Sequence, residues 1–213
     1  MLLGVGAGEA GAAVITTTLT EFTGTDSSVQ VTIDDEVAGA PNAVRFDLVV
    51  TKPAGLGDIR AVYFDVLNDA LLTGLTVTNV AGSSAVTGFA KPPGGLCQIP
   101  GDPDTGLTGG GNPCPLDVGV EIGGPGGGPG DFFPTVSFIV NTSSGTLDVS
   151  QFVGQDVGLR LKSVGPGGDG SAKLKGTFGN PQTPPTPAPE PATLALLGVG
   201  MLGVAGAARR RRR

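Results

Sequence analysis

The side chains of this sequence that could do chemistry are mostly carboxylates. Asp102-Pro103-Asp104-Thr105-Gly106 holds a fragment of the D-x-D spacing of calcium loops, with Asp117 downstream. Calcium takes about six to eight oxygen ligands, and a complete loop of that kind needs an acid near position 113, which is proline. A solvated Asp/Pro/Gly turn is the simpler reading. Asp34-Asp35-Glu36 reads as a charged hairpin turn. Asp65 and Asp69 flank the end of an apolar run, and carboxylates held about 5–9 Å apart can hydrolyse glycosides. Acidic β-proteins offer many such pairs, and the sequence singles out none. Cys97 and Cys114 are the only thiols, 17 positions apart. In an oxidising compartment they are expected to pair, and closing a loop of that size stabilises by about 3 kcal/mol. A redox-active pair would show C-x-x-C spacing.

Histidine is absent. Ser-His-Asp and Cys-His catalysis are thereby excluded, together with the commonest transition-metal ligand, and two cysteines alone cannot close a structural zinc site. The reading is of a non-enzyme with no cofactor, calcium being the one ion left open. Net charge is −6, yet Arg209, Arg210, Arg211, Arg212 and Arg213 supply five of the 13 basic residues. The remainder sets eight basic against 19 acidic residues, or −11, so phosphate neutralisation and nucleic-acid binding are excluded.

The C-terminus has three parts in order. Pro189-Glu190-Pro191 comes first, then an uncharged span over 192–208, then the five arginines. As a helix that span would reach about 25 Å, against a hydrocarbon core of about 30 Å. Flanking arginines extend a short span by snorkelling and stay on the cytoplasmic side. Within it, Gly198 to Gly203 reads G-x-G-x-x-G, but no strand precedes it and no polar helix follows, so it is no dinucleotide site. Together the three parts resemble the PEP-CTERM sorting domain. That resemblance implies processing by an exosortase and a precursor anchored in the inner membrane with its body in the periplasm. It further implies delivery to the surface or extracellular matrix of a Gram-negative bacterium, with exopolysaccharide as a candidate partner. Pro189, Glu190 and Pro191 would then be read by another enzyme and catalyse nothing themselves. Residues 1–13 read as the remnant of a signal peptide whose basic start is missing; the alternative is an N-terminal loop.

Between these ends the chain alternates apolar and polar residues with period two, the pattern of half-buried strands. Val29, Val31 and Ile33 form one such run, and Val44, Phe46, Leu48 and Val50 a second. Val136, Phe138 and Val140 form a third, and Val157, Leu159 and Leu161 a fourth. Val14–Phe22, Ile59–Leu67, Leu71–Val80 and Leu116–Ile122 read as further strands, and Asp148–Gln155 as one helical turn. Glycine and proline make up 56 of 213 residues, about a quarter. They gather in a long interval, 89–133, expected to be a functional or disordered loop. Aromatics are few, so the core is expected to be aliphatic and modest. The fold class is mostly β: an antiparallel β-sandwich, jelly-roll or Ig-like, over 14–178. A Pro-rich linker (179–188) and the sorting signal with its transmembrane helix (189–213) follow. The alternative function is a carbohydrate- or calcium-dependent adhesin using a sheet face or the 89–133 loop.

Overall fold

The computed structural model describes residues 13–37, 40–124 and 131–182. They form ten antiparallel strands: β1 (Val14–Gly24), β2 (Ser28–Asp34), β3 (Ala43–Lys52), β4 (Asp58–Phe64), β5 (Leu75–Asn79), β6 (Val86–Ala90), β7 (Val118–Ile122), β8 (Thr135–Thr142), β9 (Asp156–Val164) and β10 (Gly170–Thr177). The alternating runs become strands with their apolar side inward: Val29, Val31 and Ile33 of β2 and Phe46 and Leu48 of β3 are fully buried.

The strands make one continuous sheet in the order β5-β8-β3-β2-β1-β10-β9-β4-β7-β6. This corrects the expected pair of sheets. The hinge is β1, long enough to serve both halves. Its residues Val14–Thr20 pair with β2, and from Thr20 to Gly24 it pairs with β10, with an irregularity between Glu21 and Thr23. Such a bulge bends a strand and adds local twist, so the sheet curls into a nearly closed barrel.

The two edge strands, β5 and β6, follow one another in sequence. The side chain of Asn79 mimics a ladder rung between them: its Oδ1 accepts from Val86 N–H (2.8 Å) and its Nδ2 donates to Val86 O (3.0 Å). Beyond the far end of β6, Lys91 Nζ donates to the carbonyls of Leu72 and Thr73. The run Leu71–Val80 is therefore not one strand. Asp69–Gly74 is a 3-10 turn capped by Asn68, whose Oδ1 accepts from Ala70 N–H, and β5 begins only at Leu75. The turn expected over Asp148–Gln155 is a shorter 3-10 turn, Val149–Phe152.

The barrel is filled by side chains, with an aromatic hub at its centre that a reading of scarce aromatics did not anticipate. The Phe46 ring lies 4.9 Å from Phe64 and 5.0 Å from Phe138, with Phe152 at 5.4 Å and Phe178 at 6.2 Å. All five are at most 1% exposed. Each well-placed ring pair stabilises by about 0.5–1.5 kcal/mol beyond its buried area. The rings come from β3, β4, β8, the Val149–Phe152 turn and the segment after β10, so they join both halves of the sheet.

The second surprise is the interval 89–133. Its described residues, 89–124 and 131–133, are folded against the rest of the body. Its first residues complete β6, and β7 lies inside it. The intervening strap, residues 91–117, folds onto the outside of the sheet over β4, β7 and β9. All seven residues of β4 are buried, because the strap covers the face that the barrel interior does not. Ala61 and Tyr63 of β4 meet Leu96, Ile99, Leu107 and Leu116 of the strap in a second small core. Glycines in the strands below make this possible. A Cβ on Gly119 would stand 2.7 Å from Ile99 Cδ1 and 2.9 Å from the Tyr63 ring, and one on Gly158 2.5 Å from Leu107 Cδ1.

Gly119→Val is therefore expected to lower stability by about 1–3 kcal/mol through overpacking, despite valine's better strand propensity. Gly110→Ala, in the same strap with nothing near its Cβ position, should leave the midpoint unchanged. Thermal unfolding of both variants checks this.

Candidate functional site

The largest concentration of buried polar chemistry is the attachment of the strap. Arg60 points outward from β4 yet is only 3% exposed. Its Nη2 donates to Asp102 Oδ2 at 2.6 Å and lies 3.7 Å from Glu121 Oε1, while Nη1 donates to the Ile122 carbonyl. Asp102 is placed by the strap itself. Its other oxygen caps the 3-10 turn Pro103–Thr105 by accepting from Asp104 N–H at 2.8 Å. Burial raises the Glu121 carboxyl above its usual range, and the neighbouring Asp102 charge adds to that. The Tyr63 hydroxyl donates to Thr105 O at 2.9 Å, and burial pushes it up to about 12. Around the rim Lys162 pairs with Asp104 at 2.6 Å, and Lys173 and Lys175 donate to the carbonyls of Thr108 and Gly111.

Asp102 and Asp104, whose spacing suggested a calcium loop, are engaged by donors of the protein itself. Their oxygens face a guanidinium, an ammonium and a backbone N–H, the donor groups that a cation site must lack. Among the described residues no three acids, cysteines or histidines are grouped to hold a metal ion. Asp34-Asp35-Glu36 is a turn, as read, with a structural task. Asp35 accepts from Ala13 N–H (2.9 Å) and Val149 N–H (3.4 Å), and Asp34 from Glu36 N–H (2.7 Å).

A second polar pair ties the end of β4 to the start of β7. Asp65 Oδ1 accepts from Asp117 N–H at 2.9 Å, and Asp117 Oδ2 accepts from Val66 N–H at 3.0 Å. Burial raises Asp65 to about 6, and the charges of Asp117, Asp156 and Asp69 push the same way. The sequence singled out no partner for Asp65; the structure gives it Asp117, 52 residues away. Asp69 and Asp117 line an open groove of about 530 Å³ with Leu72, Lys91 and Pro92. A second groove, about 350 Å³, runs past Thr20, Asn112, Lys175 and Thr177.

The expected Cys97–Cys114 disulfide is not formed. Both cysteines are free, half-buried thiols. They sit where the strap doubles back on itself, next to the reciprocal main-chain bonds between Leu96 and Leu116 (2.8 and 3.0 Å). Burial, followed by a hydrogen bond and the charge of Cys97, pushes the Cys114 thiol up to about 12. The strap is thus closed at its neck by backbone pairing.

No helix among the described residues is long and apolar enough to cross a membrane. Pro189, Glu190, Pro191, the span 192–208 and Arg209–Arg213 lie outside the described residues, as do residues 1–12, where a leader remnant was expected. The body ends in a clasp: Gln182 N–H donates to Val14 O at 2.7 Å, and Val14 N–H to Gln182 O at 3.2 Å.

What the described residues define is therefore a β-structured body followed by a tail. Residues 187–213 of that tail match the PEP-CTERM protein-sorting motif. The chain carries a PEP-CTERM sorting motif, and the motif indicates an exported protein targeted to an exosortase, with a precursor anchored in the membrane before processing. Comparison with curated proteins and with solved structures finds no match.

Two predictions follow from the buried charges. Arg60→Met leaves Asp102 buried beside Glu121 without a partner, so stability should fall by about 3–5 kcal/mol. Adding Asp102→Asn, which keeps the cap, should recover part of the loss in denaturant titrations. Asp65 is raised in the folded state above its unfolded value of 3.8. Its contribution is present below pH 3.8 and is lost as pH rises to about 6, making the charged form a net cost at neutral pH. Asp65→Asn keeps the acceptor for Asp117 N–H. It should stabilise by about 1 kcal/mol at pH 7.5, after discounting for solvent screening, and the gain should vanish toward pH 4 in thermal melts.

Proposed function

We propose that this protein is a non-enzymatic surface or extracellular-matrix component. On this reading the barrel-like body is the cargo, and the tail is a removable address that an exosortase reads. The sorting motif at residues 187–213 is the observation that carries it. The body's chemistry supports a structural role. Asp102 and Glu121 are engaged by Arg60, and Asp65 and Asp117 hold each other's backbone, so these acids serve cohesion. The acidic balance of the chain without its terminal arginines favours a protein that stays soluble among hydrated polymers.

The test is intact-mass analysis of the extracellular form from cells that carry an exosortase. The expected mass lacks Arg209–Arg213 and the apolar span. An extracellular chain retaining Arg213 would contradict the sorting reading.

A further inference from the structure

On the outer face of the sheet an ammonium and a carboxylate are held apart where strand geometry lets them meet. Lys175 of β10 stands opposite Gly158 of β9, and Thr177 opposite Asp156. Lys175 and Asp156 are thus diagonal neighbours on one face, about 7–8 Å apart at the backbone and within reach of a long side chain. Among the described residues neither takes part in an ion pair. Lys175 Nζ instead donates to the Gly111 carbonyl at 2.7 Å and lies 5.8 Å from the centre of the Phe22 ring. Asp156 accepts from the Thr177 hydroxyl at 2.9 Å. Both charges line the groove of about 350 Å³, whose walls are Thr20 of β1 and Asn112-Pro113 of the strap. The neighbouring cations are also left without carboxylates. Arg160 and Lys173 face each other in register, and their partners are the carbonyls of Asp104, Ala172 and Thr108 and the Ser171 hydroxyl. In a chain with eight basic against 19 acidic residues before its terminal arginines, carboxylates are plentiful. This row of cations is bound to neutral oxygens all the same.

We infer that the groove binds an acidic sugar: a uronic-acid unit whose carboxylate meets Lys175 and whose ring hydroxyls meet Asp156, Thr177, Thr20 and Asn112. An ammonium has three donors and Gly111 uses one, while a carboxylate only accepts and so takes hydroxyl protons. A ligand that joins one carboxylate to several hydroxyls matches both ends of the groove. A phosphate-dense ligand sets its charge against Asp156, an acidic peptide brings no hydroxyls, and an apolar one finds only Pro113. The volume is that of a small-ligand site, at the lower end of about 300–1,000 Å³. The acidic balance of the body repels polyanions as a whole, so binding of this kind has to come from the local row of cations. The site lies wholly within the body and goes beyond the sorting reading; it holds whether or not the tail is removed.

Calorimetric titration of the full-length protein in a non-ionic detergent tests the site, with digalacturonate as the probe. Its dimethyl ester keeps the hydroxyls without the charge, and a blocked diglutamate peptide keeps the charge without the hydroxyls. Digalacturonate should bind saturably, and each control should bind about tenfold more weakly. Lys175→Met should weaken digalacturonate about tenfold and Thr20→Val about threefold, whereas Lys52→Met, which removes a surface lysine on β3, should change nothing. Thermal midpoints are recorded alongside. Thr20→Val leaves the strap's anchors intact, so it keeps the test decisive where Lys175→Met lowers the midpoint. No saturable binding, equal binding of the diglutamate peptide, an unaltered affinity in Thr20→Val, or an equal loss in Lys52→Met would each overturn the site. None of these results bears on tail cleavage, so this reading and the sorting reading fail separately.

Discussion

The pairing of Arg60 with Asp102 is the constraint around which the rest of the body is arranged. A guanidinium on a strand at 3% exposure is tolerable only when its donors are matched, since an unpaired charge there costs several kcal/mol. The match comes from a segment 42 residues away, so it can be made only when the strap lies in place. Once it does, Ala61 and Tyr63 gain apolar cover, Gly119 and Gly158 leave room for it, and β4 becomes a strand buried on both faces. Charge satisfaction and apolar packing are then one event. The buried ion pair acts here chiefly as a specification of register, the best-attested use of such pairs, while the small core beneath the strap supplies the driving force.

The same logic closes the barrel elsewhere. The sheet has ten strands but its first and last, β5 and β6, share no backbone ladder. Free strand edges invite pairing with other chains, and this protein covers the gap with side chains: Asn79 at one end and Lys91 at the other. Inside, the phenylalanine hub draws its rings from elements far apart in sequence, including Phe152 and Phe178 near the end of the body.

The sequence was most legible where structure is local. Period-two alternation marked β2, β3, β8 and β9 because each sets polar residues opposite its inward apolar ones, whether those polar residues meet water or, as Arg160 of β9 does, the carbonyl of Asp104 in the strap. It could not mark β4, where Arg60 interrupts an otherwise apolar run. Yet that run's lack of alternation was a readable sign that both faces are covered. The strand β6 was missed because it is short and carries Gly88 at an irregularity in its pairing with β7. Leu71–Val80 was read as one strand because apolar content hid the break at Gly74, where a Cβ would collide with Ser143 and Ser144. The single sheet, the strap and the Asp65–Asp117 exchange are long-range facts with no local signature. The sorting motif is the opposite case, since another enzyme must read it as a linear string.

Native-state hydrogen exchange on the strap tests this account most directly. If Arg60 and the small core make residues 96–116 part of the cooperative body, the amides of Leu96, Leu107 and Leu116, all bonded to main-chain carbonyls, should exchange as slowly as those of β4 and β9. Exchange of these three at the rate of an open loop, with the strands still protected, would contradict it.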